Sequence, residues 1–336
     1  MTPLAHDADI VTVLRSRSGM LTKRIEADRR VVGFMAGAWF SVHERQVSSF
    51  EEMVELLQRV ARDPYAAIVR GALRPGIDRR CCRRLCDRAV HGDAVTFAPM
   101  ARRWIALDID GVADPDCFAA EPEAGVAHVL ELLPEPFAEA ACWWQATGSA
   151  GIKPGIRVRL WFWLDRAVDD AEAKGWLQGA PVDRSPFTPV ALHYVAPPLL
   201  APGVADPVAR RSGIRQGLAD TVEVPAELPR IERPVAQMNR DGHELTDADL
   251  AALAAAVLRS PTVRAIWTGR RSFADRSTAH FAFAAALARA GCTDPDTLHR
   301  VLVAYDERYE RNTSKILRPD YADRTIAAAL AAEGRA

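Results

Sequence analysis

Hydrophobic residues change their spacing along this chain, and each change predicts a different kind of element. Trp104-Ile105-Ala106-Leu107, continued by Ile109 and broken at Gly111, predicts a short buried strand. Ala141 to Thr147 predicts a second, and Ile156 to Leu164 a third, with a glycine-rich turn between them at Gly148–Gly155. Val31 to Val42 predicts one or two strands whose glycines permit a turn or bulge, and Ala67–Gly71 a further short one. Helical spacing appears in Phe50–Val60, where Ser48 or Ser49 can cap and acids fill the first turn. It returns in Pro122–Leu133 through Val126, Val129 and Leu130, and again in Asp169–Leu177. An extended stretch after Val182-Asp183 ends at His193-Tyr194-Val195.

Strand, helix, strand, strand, helix, strand around one sheet implies an α/β or α+β layer of RNA-recognition-motif kind. Residues 1–20 read as a loosely held start. Pro181 to Pro234 holds ten prolines and reads as loop and strand wrapping the same domain. From Leu245 the texture becomes helical. Thr246-Asp247-Ala248-Asp249 has the form of a capping box, with Asp in place of the usual Glu. Helices are expected over Leu250–Leu258, 277–290, 294–311 and 321–333, forming a small all-α bundle. The expected division is 1–20, 21–238 and 239–336.

The 336 residues suffice for two domains, and 49% hydrophobic content excludes global disorder. A net charge of −1 means that any nucleic-acid footprint must be local. The six cysteines form no CxxC pair, so neither structural zinc nor a disulfide framework is expected. Charges at Asp7, Asp9, Arg15 and Arg17 interrupt the first apolar run, and no run approaches a membrane span. A cytoplasmic protein without membrane attachment is the expectation.

The chemistry begins at Asp108 and Asp110. On a strand, positions i and i+2 face the same way, about 6–7 Å apart. Two carboxylates side by side on an apolar strand favour a cation between them, and oxygen ligands favour Mg²⁺ or Mn²⁺. The plain alternative is a solvated strand end. The Gly148–Gly155 turn can aim backbone N–H groups at an anion, with Ser149 and Lys153 adding a hydroxyl and a charge. Arg157 and Arg159 share one face of the following strand and need an anionic partner. That partner is either the Asp108/Asp110 pair or a triphosphate. Asp183 is a possible third acid, or a turn former.

Leu107-Asp108-Ile109-Asp110, a Ser/Gly turn leading to a polar strand residue, and Val182-Asp183 together resemble the three motifs of the archaeo-eukaryotic primase superfamily. Thr22-Lys23, Val69-Arg70-Gly71, Gly151–Gly155, Arg159–Leu164, Phe187-Thr188-Pro189, His193-Tyr194 and Asp206-Pro207 are similar to plasmid- and phage-type members. The resemblance covers residues 20–235, and the helical segment is similar to the domain that often follows. It implies primer synthesis from NTP or dNTP on a single-stranded DNA template, for replication of a plasmid, phage or integrated element. Asp108, Asp110 and Asp183 would bind two divalent metals. Ser149, Lys153, Arg157, Arg159 and His193 would bind nucleotide. A helicase would be a separate chain. The family's second-motif histidine is missing, and Arg159 or Arg157 stands in its place.

Basic clusters offer template contacts: Arg79-Arg80-Arg83-Arg84-Arg88, Arg210-Arg211-Arg215 and Arg264-Arg270-Arg271-Arg276. Arg270 and Arg271 stand at the mouth of the helical domain. Two other readings compete. One is a degenerate primase fold that binds DNA or initiates replication without catalysis. The other is a haloacid-dehalogenase-type phosphatase, since Asp108-Ile109-Asp110-Gly111 fits its DxDG start. That reading needs further acids, and Asp169-Asp170 is the pair available.

Overall fold

The computed structural model describes residues 8–34, 37–86, 94–115, 117–231, 245–271, 273, 275–309, 313, 315–317 and 319–333. It divides into two compact units, Met1–Arg233 and Pro234–Ala336.

The first unit begins with β1 (Ile10–Ser16), β2 (Lys23–Ile25), β3 (Val31–Gly33), β4 (Trp39–Gln46), α1 (Phe50–Ala61), β5 (Ala66–Val69), β6 (Ala72–Leu73), β7 (Cys82–Arg83) and β8 (Phe97–Ala98). It continues with β9 (Arg102–Val112), α2 (Pro122–Glu131), α3 (Glu135–Glu139), β10 (Cys142–Ala146), β11 (Ile156–Val168) and α4 (Asp170–Trp176). The proline-rich stretch adds β12 (His193–Tyr194), β13 (Leu199–Leu200), β14 (Ser212–Arg215) and β15 (Thr221–Val222). This is a mixed α+β unit. One antiparallel sheet has the order β12-β5-β1-β4-β7. A second runs β14-β10-β11-β15, with β9 paired antiparallel to β11. Smaller sheets join β13-β2-β3 and β6-β8.

β9 is apolar in a continuous run because both its faces are covered. Ile105, Leu107 and Ile109 pack with Val126, Val129 and Leu130 of α2 and Phe137 of α3. Trp104 and Ala106 point the other way, into a cluster with Val11 and Val13 of β1, Ile68 of β5 and Met53, Val54 and Leu57 of α1. β11 repeats the division, with Leu160, Phe162 and Leu164 on one side and Trp161 and Trp163 on the other. Buried Arg70 ties the layers together: it donates to Asp170 and to the carbonyls of Trp104 and Val168, at 2.7–2.8 Å.

Residues 10–16 correct the expectation of a loosely held start. β1 lies mid-sheet between β5 and β4. Val11, Val13 and Leu14 are buried, while Arg15 carries its charge to the edge and pairs with Asp63 at 2.8 Å. Burial between two neighbouring strands stabilises this segment despite the charges that flank it.

The second unit consists of α5 (Asp247–Arg259), α6 (Pro261–Trp267), α7 (Arg276–Arg289), α8 (Pro295–Arg308) and α9 (Pro319–Glu333) around Phe283, Leu287, Leu298, Val301 and Ile326. Thr246 and Asp249 form the reciprocal capping box that the sequence predicts. α6 was not expected; Ser260 caps it and Pro261 supplies a ready-made first-turn φ. Among the described residues, no single helix is long and apolar enough to cross a membrane.

Candidate functional site

Strand register assembles a polar strip on the face of β9, β10 and β11 that also carries Trp104, Trp143 and Trp161. Asp108 lies opposite Arg159, and Arg159 opposite Gln145. Asp110 lies opposite Arg157, whose carbonyl accepts the Thr147 N–H at 2.9 Å. On the other side of β9, Asp183 forms an antiparallel bridge with Asp108, its N–H donating to the Asp108 carbonyl at 2.8 Å. Residues directly opposite in a ladder share a face. The fold therefore places Asp108, Asp110 and Asp183 at neighbouring positions of one face, with Arg157 and Arg159 across β9 from Asp183. Asp110, Gly111, Val112 and Ala180–Asp183 line a cleft of ≈ 430 Å³.

The arginines pair with the acids, one of the two partners open from sequence. Arg159 reaches Asp108 at 2.7 Å and donates to the Tyr194 carbonyl at 2.6 Å. Arg157 reaches Asp110 at 2.8 Å. Several buried polar atoms on this strip have no hydrogen-bond partner: Asp108 Oδ1, Arg159 Nε, Gln145 Oε1 and Thr147 Oγ1. Unsatisfied buried groups cost about 1–3 kcal/mol each, so their concentration here points to a ligand-binding face.

The donor set is all carboxylate oxygen, which suits a hard divalent cation. Oδ1 of Asp108 is buried without a hydrogen-bond partner, while its Oδ2 holds Arg159. The other acids are engaged: Asp183 accepts from the Ser185 N–H and hydroxyl, both at 2.9 Å, and Asp110 holds Arg157. Among the described residues, no three His, Cys, Asp or Glu side chains are already grouped to hold a metal ion. Loading would exchange the arginine and serine contacts for metal contacts.

The glycine turn differs from its expected form. The Ala150 N–H donates to the Thr147 carbonyl, and the Ile152 and Lys153 N–H groups donate to the Ser149 carbonyl. Those amides hold the turn closed and do not face an anion. Ser149 is buried, whereas Lys153 is exposed and lines a separate cleft of ≈ 330 Å³ with Asp114, Phe118 and Gly155. Gly155 has φ +75°, and a Cβ there would stand 2.5 Å from the Val112 carbonyl oxygen. Gly155→Ala is expected to destabilise the unit by about 1–3 kcal/mol, read as a lower urea midpoint.

His193 is wholly buried, edge-on to Trp104 and Trp161, with neither ring nitrogen hydrogen-bonded. Burial, then the charges of Arg159 and Arg70, hold its pKa well below the ordinary histidine value, so the ring is neutral. No sequence motif marks Gln145 and Thr147 as part of this strip. The available signal was a lone amide in the otherwise apolar strand 141–146.

The proposed nucleic-acid contacts are distributed differently. Arg210 pairs with Glu123 and lies over Trp144, 5.3 Å from its ring centre. Arg211 is clasped by Asp206 and donates to the Thr147 carbonyl at 2.9 Å. Arg79 pairs with Glu44, and Arg84 donates to the Val190 carbonyl. Arg88 lies outside the described residues. In the second unit, Arg270 and Arg271 are exposed, and Arg271 lies over Phe273. The acids a phosphatase site would need are used elsewhere: Asp169 caps α4 and Asp170 holds Arg70.

The chain is similar to a protein of Escherichia phage T5 named "Putative replication origin binding protein", 28% identical over 192 residues. The match covers 51% of this chain and 19% of the phage protein. No family model matches, and no solved structure matches.

Proposed function

We propose that the first unit carries out metal-dependent nucleotidyl transfer on a DNA template, as a primase or primase-polymerase, in replication of a plasmid, phage or integrated element. The observation that supports this reading is the strip of three carboxylates and two guanidiniums on one face, with buried polar atoms left unpartnered. The similarity to the T5 protein supports a replication role.

In this reading Asp108, Asp110 and Asp183 hold Mg²⁺ or Mn²⁺, which supplies charge stabilisation at the attacking 3′-hydroxyl and the leaving pyrophosphate. Arg159 and Arg157 pass from carboxylate to phosphate oxygens, for which the guanidinium fork is equally suited. Arginine in the position of the family's histidine keeps its charge at any working pH. Ser149 stiffens the turn beside them. Exposed Arg270 and Arg271 are among the basic residues that could contact a single-stranded template.

The ion pairs favour a second reading, in which the acids and arginines are struts of a non-catalytic module that binds origin DNA. The two separate in one experiment. Purified chain is given single-stranded template, NTPs or dNTPs, and Mg²⁺ or Mn²⁺. Metal-dependent oligomers are expected; DNA binding without product would sink the catalytic reading in favour of the second.

A further inference from the structure

The sheet built on β1 has an open face where an aromatic ring stands among cations. Burial alternates along β4: Phe40 and Val42 are buried, while Trp39, His43 and Arg45 are exposed. Alternate residues of a strand share a face, so the indole and both basic side chains point the same way. On that face α1 packs against Val11 and Val13 of β1 and Ile68 of β5. It leaves the β4 positions uncovered, and Trp39 is 42% exposed.

Register puts an arginine on each side of the indole. Arg83 of β7 lies directly opposite Trp39. On the other side the Arg17 N–H donates to the Trp39 carbonyl at 3.1 Å, continuing the β1–β4 ladder by one residue. Residues opposite one another share a face, so Arg17, Trp39 and Arg83 form one row across three strands. Arg15 stands in the next row, opposite Ser41. The Arg17 guanidinium makes one long hydrogen bond, 3.4 Å to the Arg80 carbonyl. Among the described residues, His43 and Arg45 make no side-chain hydrogen bond or ion pair. The carboxylates at the margin are engaged: Asp63 holds Arg15 at 2.8 Å, and Asp78 accepts the Arg80 N–H at 2.9 Å.

An exposed indole stacks on a planar ring, and guanidiniums take phosphate oxygens. A single-stranded nucleic acid offers both in alternation. A duplex keeps its base faces inside its own stack, and an acidic peptide offers charge without the rings. We infer that the β4 face is a platform for single-stranded nucleic acid, with a base stacked on Trp39 and the flanking phosphates held by Arg17 and Arg83. It lies on a different sheet from the acid strip and goes beyond the function proposed for that strip. Binding here needs neither metal nor nucleotide.

The test uses the full chain without divalent metal and an oligo-dT of about 16 nucleotides carrying 5-iodouracil. Ultraviolet crosslinks, mapped by mass spectrometry, are expected on Trp39. Base–aromatic stacking corresponds to about five- to 150-fold in affinity, so Trp39→Ala should weaken binding within that range, while Trp39→Phe retains most of it. Arg17→Gln should reduce the slope of log affinity against log salt by about 0.7. A matched duplex should bind more weakly and be indifferent to Trp39→Ala. Binding by Trp39→Ala within about twofold of wild type, crosslinks only elsewhere, or no oligo-dT binding by wild type overturns the assignment; none of these bears on the metal-dependent synthesis assay. Displacement of oligo-dT by polyglutamate with no dependence on Trp39 would overturn it in favour of an acidic protein partner.

Discussion

Asp110→Asn is expected to reduce primer synthesis by at least about 10²–10³-fold while leaving thermal stability almost unchanged. Loss of a metal ligand removes several kcal/mol of transition-state charge stabilisation, and each 1.4 kcal/mol is about tenfold in rate. The stability side is small because the Asp110 side chain is 49% exposed in its pair with Arg157. Exposed pairs contribute about 0–1 kcal/mol, or a few degrees at most in a unit of this size. Asp108→Asn should lose activity to the same extent but also unfold earlier. Its side chain is 16% exposed, against 9% for Arg159, and the substitution strands that guanidinium in the interior. Breaking a buried pair costs about 3–5 kcal/mol. Template-dependent synthesis and thermal melts on the two variants therefore separate chemistry from folding. Normal synthesis by Asp110→Asn would remove Asp110 from the metal site.

The second large effect belongs to the helical unit. Asp249 is 1% exposed and accepts two hydrogen bonds from Arg300, at 2.7 and 3.0 Å, two from Thr246, and one from Thr297. The Arg300 guanidinium first, then the Thr246 and Thr297 donors, hold its carboxyl far below the ordinary 3.8, against the opposing effect of burial. Asp249→Ala removes the carboxylate half of the α5 capping box and its link to α8 together, while Thr246 still accepts from the backbone N–H of that position. It is expected to destabilise this unit by about 3–5 kcal/mol, read by helix content in urea. The pH dependence has a definite sign. A carboxyl depressed in the folded state contributes stability that is fully present above its unfolded pKa, about 3.9. That contribution is lost as pH falls below this value towards the lower folded one. The alanine variant should lack this part of the acid transition. A variant as stable as wild type at pH 7 would show that Arg300 and the threonines are satisfied by water instead.

Asp249 also illustrates how far local pattern reaches. The capping box over Thr246–Asp249 follows from residue types at fixed offsets, and it forms as expected. Nothing in that tetrapeptide points to Arg300, fifty-one residues away. β1 shows the opposite failure. Its residues Ile10, Val11, Val13 and Leu14 are apolar but flanked by charges, and pairing between β4 and β5 is what makes them a strand.

For the candidate site, the sequence by itself determined that Asp108 and Asp110 share a face, as do Arg157 and Arg159. Alternation along an extended chain is a property of covalent geometry and needs no partner. Only the tertiary structure decided which residues stand across from them. Pairing register is set by non-local burial, and a one-residue slip reverses every side chain. That register placed Arg159 against Asp108, Asp183 on its other side and Gln145 next in line. It also put Lys153 in another cleft.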